Sequence, residues 1–164
     1  MSRHMGKREA GFTIIETVIV LAAAAFILLI VLMALPALTR NSRNNQRNQD
    51  AQTILSAVSQ WELNHGGTVP STGDPDWQSF LNSYYKSKLT LFEVGDITVT
   101  TPPASSALQT YPATPVAQDK LVISNHAKCS SGGQATNQGA GYSDVVALYA
   151  IETAHGTSPH CQQL

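Results

Sequence analysis

Two hydrophobic patterns follow one another along the first 65 residues of this chain. From Thr17 through Leu38, 22 residues pass without a charge, and apolar side chains fall on every side of a helix. At about 1.5 Å rise per residue, such a stretch crosses a hydrocarbon layer of roughly 30 Å. Beyond it the pattern changes. Residues 39 to 65, TRNSRNNQRNQDAQTILSAVSQWELNH, hold no Gly or Pro, and Ala51, Ile54, Leu55, Val58 and Trp61 recur at three- and four-residue steps, so only one stripe is apolar. Gly66-Gly67 then supplies a stop signal. The spacing predicts one helix from about Phe12 to His65. Its first half suits lipid or a core of like helices, and its second half suits a covering domain, with the stripe as plain core packing.

Two residues interrupt the apolar segment. Pro36 lacks a backbone donor and is expected to kink or loosen the helix near Val31 to Met33. Glu16 places a carboxylate in the first turn, where a charge near a bilayer centre costs about 2.5 kcal/mol or more and calls for a partner.

After Gly67 the texture is that of a small mixed domain. Residues 68 to 78, TVPSTGDPDWQ, read as a loop, and Asp76 is placed to cap a short helix through WQSFLNSYYKS, with Phe80, Leu81, Tyr84 and Tyr85 on one side. Strand-like runs follow at 89–94, 97–101, 120–124 and 144–152, and Gly95-Asp96 suggests a hairpin between the first two. Residues 102 to 118, PPASSALQTYPATPVAQ, carry four of the eight prolines and no charge, so they are expected to form a surface loop outside any ladder. The predicted class is α+β: a long N-terminal helix packed by its second half on a small antiparallel sheet.

Composition narrows the function. The formal charge is −1; removing residues 1 to 11 takes away Arg3, Lys7, Arg8 and Glu9 and leaves 7 basic against 10 acidic side chains, or −3. That excludes a basic nucleic-acid footprint, and no sequence-specific nucleic-acid binding is expected. Charged residues make up only 13%, which suits a polar, weakly charged surface outside the cytoplasm. A secretory signal fits poorly, because its apolar core is shorter and is cleaved on its far side. Flanking charge leaves orientation balanced, with Arg3, Lys7 and Arg8 before the span and Arg40, Arg43 and Arg47 after it. No Gly-x-Ser-x-Gly elbow, His-Glu-x-x-His or phosphate-binding loop occurs, so no catalysis and no cofactor are expected.

Cys129 and Cys161 lie in the C-terminal third. If that third is exported, a disulfide is the default. A zinc site drawn from His126, Cys129, His155, His160 and Cys161 is the alternative, although the spacing matches no knuckle pattern and an exported thiol pair would oxidise. The bridge would stabilise the head by about 3 to 4 kcal/mol on a chain-entropy estimate, and the head is expected to need it to survive export. Asp74, Asp76, Asp96, Asp119 and Asp144 show no calcium-loop spacing.

The N-terminus also carries a positional signature. A basic leader with Lys7 and Arg8, then Gly11, Phe12 and, four residues on, Glu16, all entering a long apolar helix, resembles the type IV prepilins. The resemblance is specific over residues 7 to 38 and architectural beyond. It implies cleavage after Gly11 by a prepilin peptidase, N-methylation of Phe12, and an assembly role for Glu16 toward the Phe12 amine of a neighbouring subunit. It further implies a C-terminal disulfide-bounded region, which Cys129 and Cys161 match. The implied organisation is a leader over 1–11, a transmembrane and assembly helix over 12–38, its amphipathic continuation over 39–67 and a head over 68–164. The implied product is a homo-oligomeric helical filament, drawn from the cytoplasmic membrane to the cell surface by an assembly ATPase and its membrane platform, for adhesion, twitching motility or DNA uptake. A pseudopilin of a secretion or competence system shares every anchor motif. A membrane-anchored binding module that never polymerises is disfavoured by Glu16, which a monomer gains nothing from burying.

Overall fold

A computed structural model describes residues 11–100, 110–111, 116–137, 140–141 and 143–164; for 110–111 only the backbone is described. The leader's residues 1–10 and most of the Pro-rich stretch lie outside them. The chain divides into two compact units, Met1–Leu38 and Thr39–Leu164.

In the first unit every described residue is exposed. Helix α1, Ile14–Asn64, begins here and runs without interruption through Pro36. The expected loosening near Val31 to Met33 therefore leaves no break in the helix. This is the one helix among the described residues long and apolar enough to cross a membrane, and its composition is compatible with insertion.

The second unit begins with the rest of α1. Its buried residues, Arg47, Asp50, Ala51, Ile54, Leu55, Ala57, Val58 and Trp61, follow the predicted stripe and extend it into polar sequence. Helix α2, Pro75–Tyr84, starts two residues earlier than expected, because Asp74 and not Asp76 is the cap. The Asp74 Oδ1 accepts from the Asp76 and Trp77 N–H groups at 2.9 and 3.3 Å, and Pro75 at the first helical position loses nothing by lacking an N–H.

The main sheet runs in the order β1 (Ile97–Thr100), β3 (Leu121–Asn125), β6 (Val145–Thr153) and β7 (Gly156–Gln163). β1 and β3 are parallel, whereas the other neighbours are antiparallel, so the sheet is mixed. A parallel pair needs a long crossover, and the stretch from 101 to 120 connects those two strands. Within it Thr110–Tyr111 form β2, which pairs with β5 (Ala135–Thr136) and through it with β4 (Lys128–Cys129) in a second, three-stranded sheet. The Pro-rich composition therefore does not keep this stretch out of a ladder, and Val116 at its end is buried.

β6 explains how the layers stack. Its run VVALYA is buried on both faces, as a continuous apolar run should be. Val145, Ala147 and Tyr149 join the core with α1, Trp77, Leu81, Ile97, Leu121 and Ile123. Val146 and Leu148 face a smaller cluster with Val116, Ala127, Ala135, Cys129 and Cys161. β7 carries no apolar alternation and includes Pro159; at the sheet edge, one row of backbone groups has no ladder to make and proline is tolerated.

The expected strand at 89–94 and its hairpin are absent. The reason is Asp50. Its carboxylate is buried in α1 and accepts from the Thr90, Leu91 and Phe92 N–H groups at 2.7 to 3.1 Å, taking the donors a ladder would use. Val94–Asp96 then make a 3₁₀ turn into β1. Hairpins instead join β6 to β7, with Thr153 opposite Gly156, and β4 to β5.

Candidate functional site

The predicted processing and assembly residues sit together at the start of α1. Thr13 is the residue before the helix, and its Oγ1 accepts from the Glu16 N–H at 3.3 Å. Thr17 Oγ1 donates to the Ile14 carbonyl at 2.8 Å, and its N–H reaches the Thr13 carbonyl at 3.2 Å. The sequence Thr13-x-x-Glu16 is thus the capping-box pattern, with Glu16 at the third helical position, where the helix dipole favours an anion. The Thr13-x-x-Glu16 spacing carries this signal in the sequence, beside the assembly role that the resemblance implies for Glu16.

The helix begins at Ile14, so Phe12 precedes it and does not share a helical face with Glu16. The two residues nonetheless line one shallow groove with Thr17, Val20 and Leu21. Phe12 is 82% exposed, and a side chain at Gly11 would meet nothing within 4 Å. Gly11 and Phe12 are thus both exposed, ahead of the first helical residue. Pro36, the remaining predicted site in this unit, lies elsewhere on α1.

A second cluster, in the other unit, holds the polar turns of α1 to the end of β6. Glu152 receives Arg43 Nη2 at 2.5 Å and Arg47 Nη1 at 2.9 Å, and the Arg47 side chain is only 7% exposed. Asn44 donates to the Glu152 carbonyl and accepts from its N–H, both at 2.8 Å, closing the bare edge of the backbone as a strand would. Asn48 Oδ1 accepts from Tyr149 OH. The hydrogen bond from Arg43 is the main reason the Glu152 carboxyl lies below its usual range, with Arg47 adding to it against the opposing effect of burial. Burial pushes the Tyr149 hydroxyl up to about 12. Arg43 and Arg47 entered the sequence reading only as flanking charges; their spacing with Asn44 and Asn48 on one helical face was the available clue.

Cys129 and Cys161 form a disulfide with Cα atoms 5.6 Å apart, joining β4 to β7. Both thiols are thereby used, which removes the thiolates the zinc alternative required. His160 packs its ring against Tyr149 at 5.2 Å between centroids. Among the described residues no group of three or more His, Cys, Asp or Glu side chains could hold a metal ion. The turn before β5 is pressed onto β7: a Cβ at Gly133, φ 70°, would lie 2.2 Å from the Pro159 carbonyl oxygen.

Comparison with protein-family models, with curated proteins and with solved structures returned no match for this chain.

Proposed function

We propose that this chain is a structural subunit of a type IV pilus, inserted in the membrane as a prepilin, cleaved after Gly11 and polymerised through its N-terminal helix. The observation that carries the reading is the contrast inside α1. From Ile14 to Leu38 every residue is exposed although almost all are apolar, while the head beyond has a core of its own. Such a surface calls for lipid or an apolar protein partner, and the GFTIIE start resembles the sequence at which prepilins are cut.

The residues have distinct roles in this reading. Gly11 lets a peptidase approach an extended backbone, and the basic leader with Lys7 and Arg8 stays in the cytoplasm, an orientation that rests on the resemblance and on the disulfide of the head. Cleavage creates a cationic amine on Phe12. Because Phe12 lies off the end of the helix, that amine can turn to the Glu16 of a neighbour, pairing two charges that are each costly when buried alone. An uncleaved chain has no such amine, so only processed subunits join. Assembly energy comes from other proteins.

The reading is tested by Gly11→Val expressed in the native host. The full-length chain should remain in the membrane, with no surface material at the shorter mass. Surface material at the shorter mass from that variant would contradict the requirement for Gly11, and a chain starting anywhere but Phe12 would place the processing site elsewhere.

A further inference from the structure

Where a strand was expected, at 89–94, the chain forms one wall of a pocket instead. Asp50, buried behind that wall, draws the Thr90, Leu91 and Phe92 amides to itself at 2.7 to 3.1 Å. Nothing among the described residues donates to the carbonyls of Leu89, Thr90 or Leu91, so these acceptors are left for solvent or a ligand. Together with Asn82 and Lys86, residues 89–95 line a pocket of about 460 Å³, within the range of small-molecule sites. A pocket of this size has no room for a folded partner. It admits an amino acid or a short peptide.

The lining carries one charge of each sign. Lys86 lies in the 3₁₀ turn that follows α2, and Glu93 lies at the far end of the 89–93 segment. The two do not pair with each other: the ion pairs of the head, among the described residues, join Arg43 and Arg47 to Glu152, Lys120 to Asp96 and Lys128 to Asp144. Asn82 donates through Nδ2 to the Gln78 carbonyl at 3.0 Å, which leaves its Oδ1 as a further acceptor. Between these polar groups the lining is apolar, with Leu89 and Leu91 half-buried and Phe92 and Val94 buried.

We infer that this pocket binds a small zwitterion with an apolar side chain, a free amino acid or a short peptide, its carboxylate on the Lys86 ammonium and its own ammonium on Glu93 and the neighbouring acceptors. A simple anion drawn to Lys86 is repelled by Glu93, and a simple cation drawn to Glu93 is repelled by Lys86. Only a ligand with both charges satisfies the two at once. The Asp50 clasp fixes the backbone wall before the ligand arrives, so little ordering opposes binding. The site lies wholly in the head and stands whether or not the chain assembles into filaments.

Titration of the full-length, isotope-labelled chain in detergent with leucine and with the dipeptide alanyl-leucine, followed by NMR, tests the site. Amide signals of residues 86 and 89–95 should move and saturate, and the tighter of the two probes names the source of the ligand. The N-acetylated and C-amidated forms of that probe, each lacking one charge, should bind about tenfold or more weakly. Lys86→Gln should lose about tenfold in affinity and no longer distinguish the probe from its C-amide. Glu93→Gln should lose as much and no longer distinguish it from the N-acetyl form. Damage to the fold would instead weaken every ligand alike, and disulfide formation, read by non-reducing mass spectrometry, serves as the folding control. No saturable change at these residues with either probe up to millimolar concentration, single-charge forms that bind as well as the probe, or folded variants that bind as wild type would each overturn the assignment.

Discussion

The two halves of α1 use apolar residues in opposite ways. From Ile14 to Leu38 they point everywhere and stay exposed; from Ala51 to Trp61 they point one way and are buried to within 5% or better. Among the described residues the first half contributes nothing to a core, whereas the second sits under Trp77, Leu121, Ile123 and Tyr149. The buried core lies wholly in the second unit. On the proposed reading, lipid or other copies cover the first half. Pattern alone separates the two halves: a helix apolar all round asks for an apolar solvent, and a helix apolar on one stripe asks for a partner domain.

The comparison can be broken at its strongest point by truncating one large residue in each half. Trp61→Ala should destabilise the head by about 3–5 kcal/mol, because it removes an indole packed on Trp77 and Phe80. Phe26→Ala, also an aromatic deletion, should change head stability by less than about 0.5 kcal/mol. Denaturant unfolding of the full chain in detergent, followed by tryptophan fluorescence, measures both. Equal losses would mean that the anchor supports the head.

A smaller effect is expected at Asp50. Replacing it by Ala leaves the Thr90, Leu91 and Phe92 donors without their acceptor and should cost about 3 kcal/mol, with faster hydrogen exchange at those three amides. Unchanged exchange there would show that the 89–93 segment holds its shape without the clasp.

The smallest effect is that of acid on Glu152. Its folded pKa is depressed, so the unfolded chain takes up the proton first, and the stability that Glu152 contributes is present above the ordinary carboxylate range and lost as pH falls through its folded pKa. Head stability should decline below about pH 4.5, and Arg43→Ala should flatten that part of the decline. An unaltered slope in the variant would assign the acid sensitivity to other carboxylates.

Sequence reading captured the elements whose pattern and partner agree. The helix, its stop at Gly66-Gly67, and the strands at 97–100, 121–125 and 145–153 were legible because their apolar residues face a core at the expected period. It failed where a distant side chain decides the backbone. LTLFEV has strand propensity, but Asp50, about 40 residues away, takes its amides. GTSPHCQQ has little strand propensity, yet it is a strand because β6 offers an edge, and the Ala154-His155 turn before it carries none of the usual Gly or Asn. At the N-terminus Gly11, Phe12 and Glu16 were found by resemblance, while the Thr13 cap, which fixes where the helix starts, was legible from spacing and overlooked.

The central claim is that the exposed half of α1 is an assembly surface made selective by Glu16. Its most direct test is the Glu16→Ala chain as the only subunit in the native host, with sheared surface material viewed by electron microscopy and its subunits identified by mass spectrometry. Wild type should give filaments whose bulk subunit begins at Phe12 with a methylated amine. Glu16→Ala should still insert, be cleaved and form the Cys129–Cys161 bridge, yet give no filaments. Filaments from Glu16→Ala in wild-type amount, or a wild-type chain found only in membranes, would contradict the account.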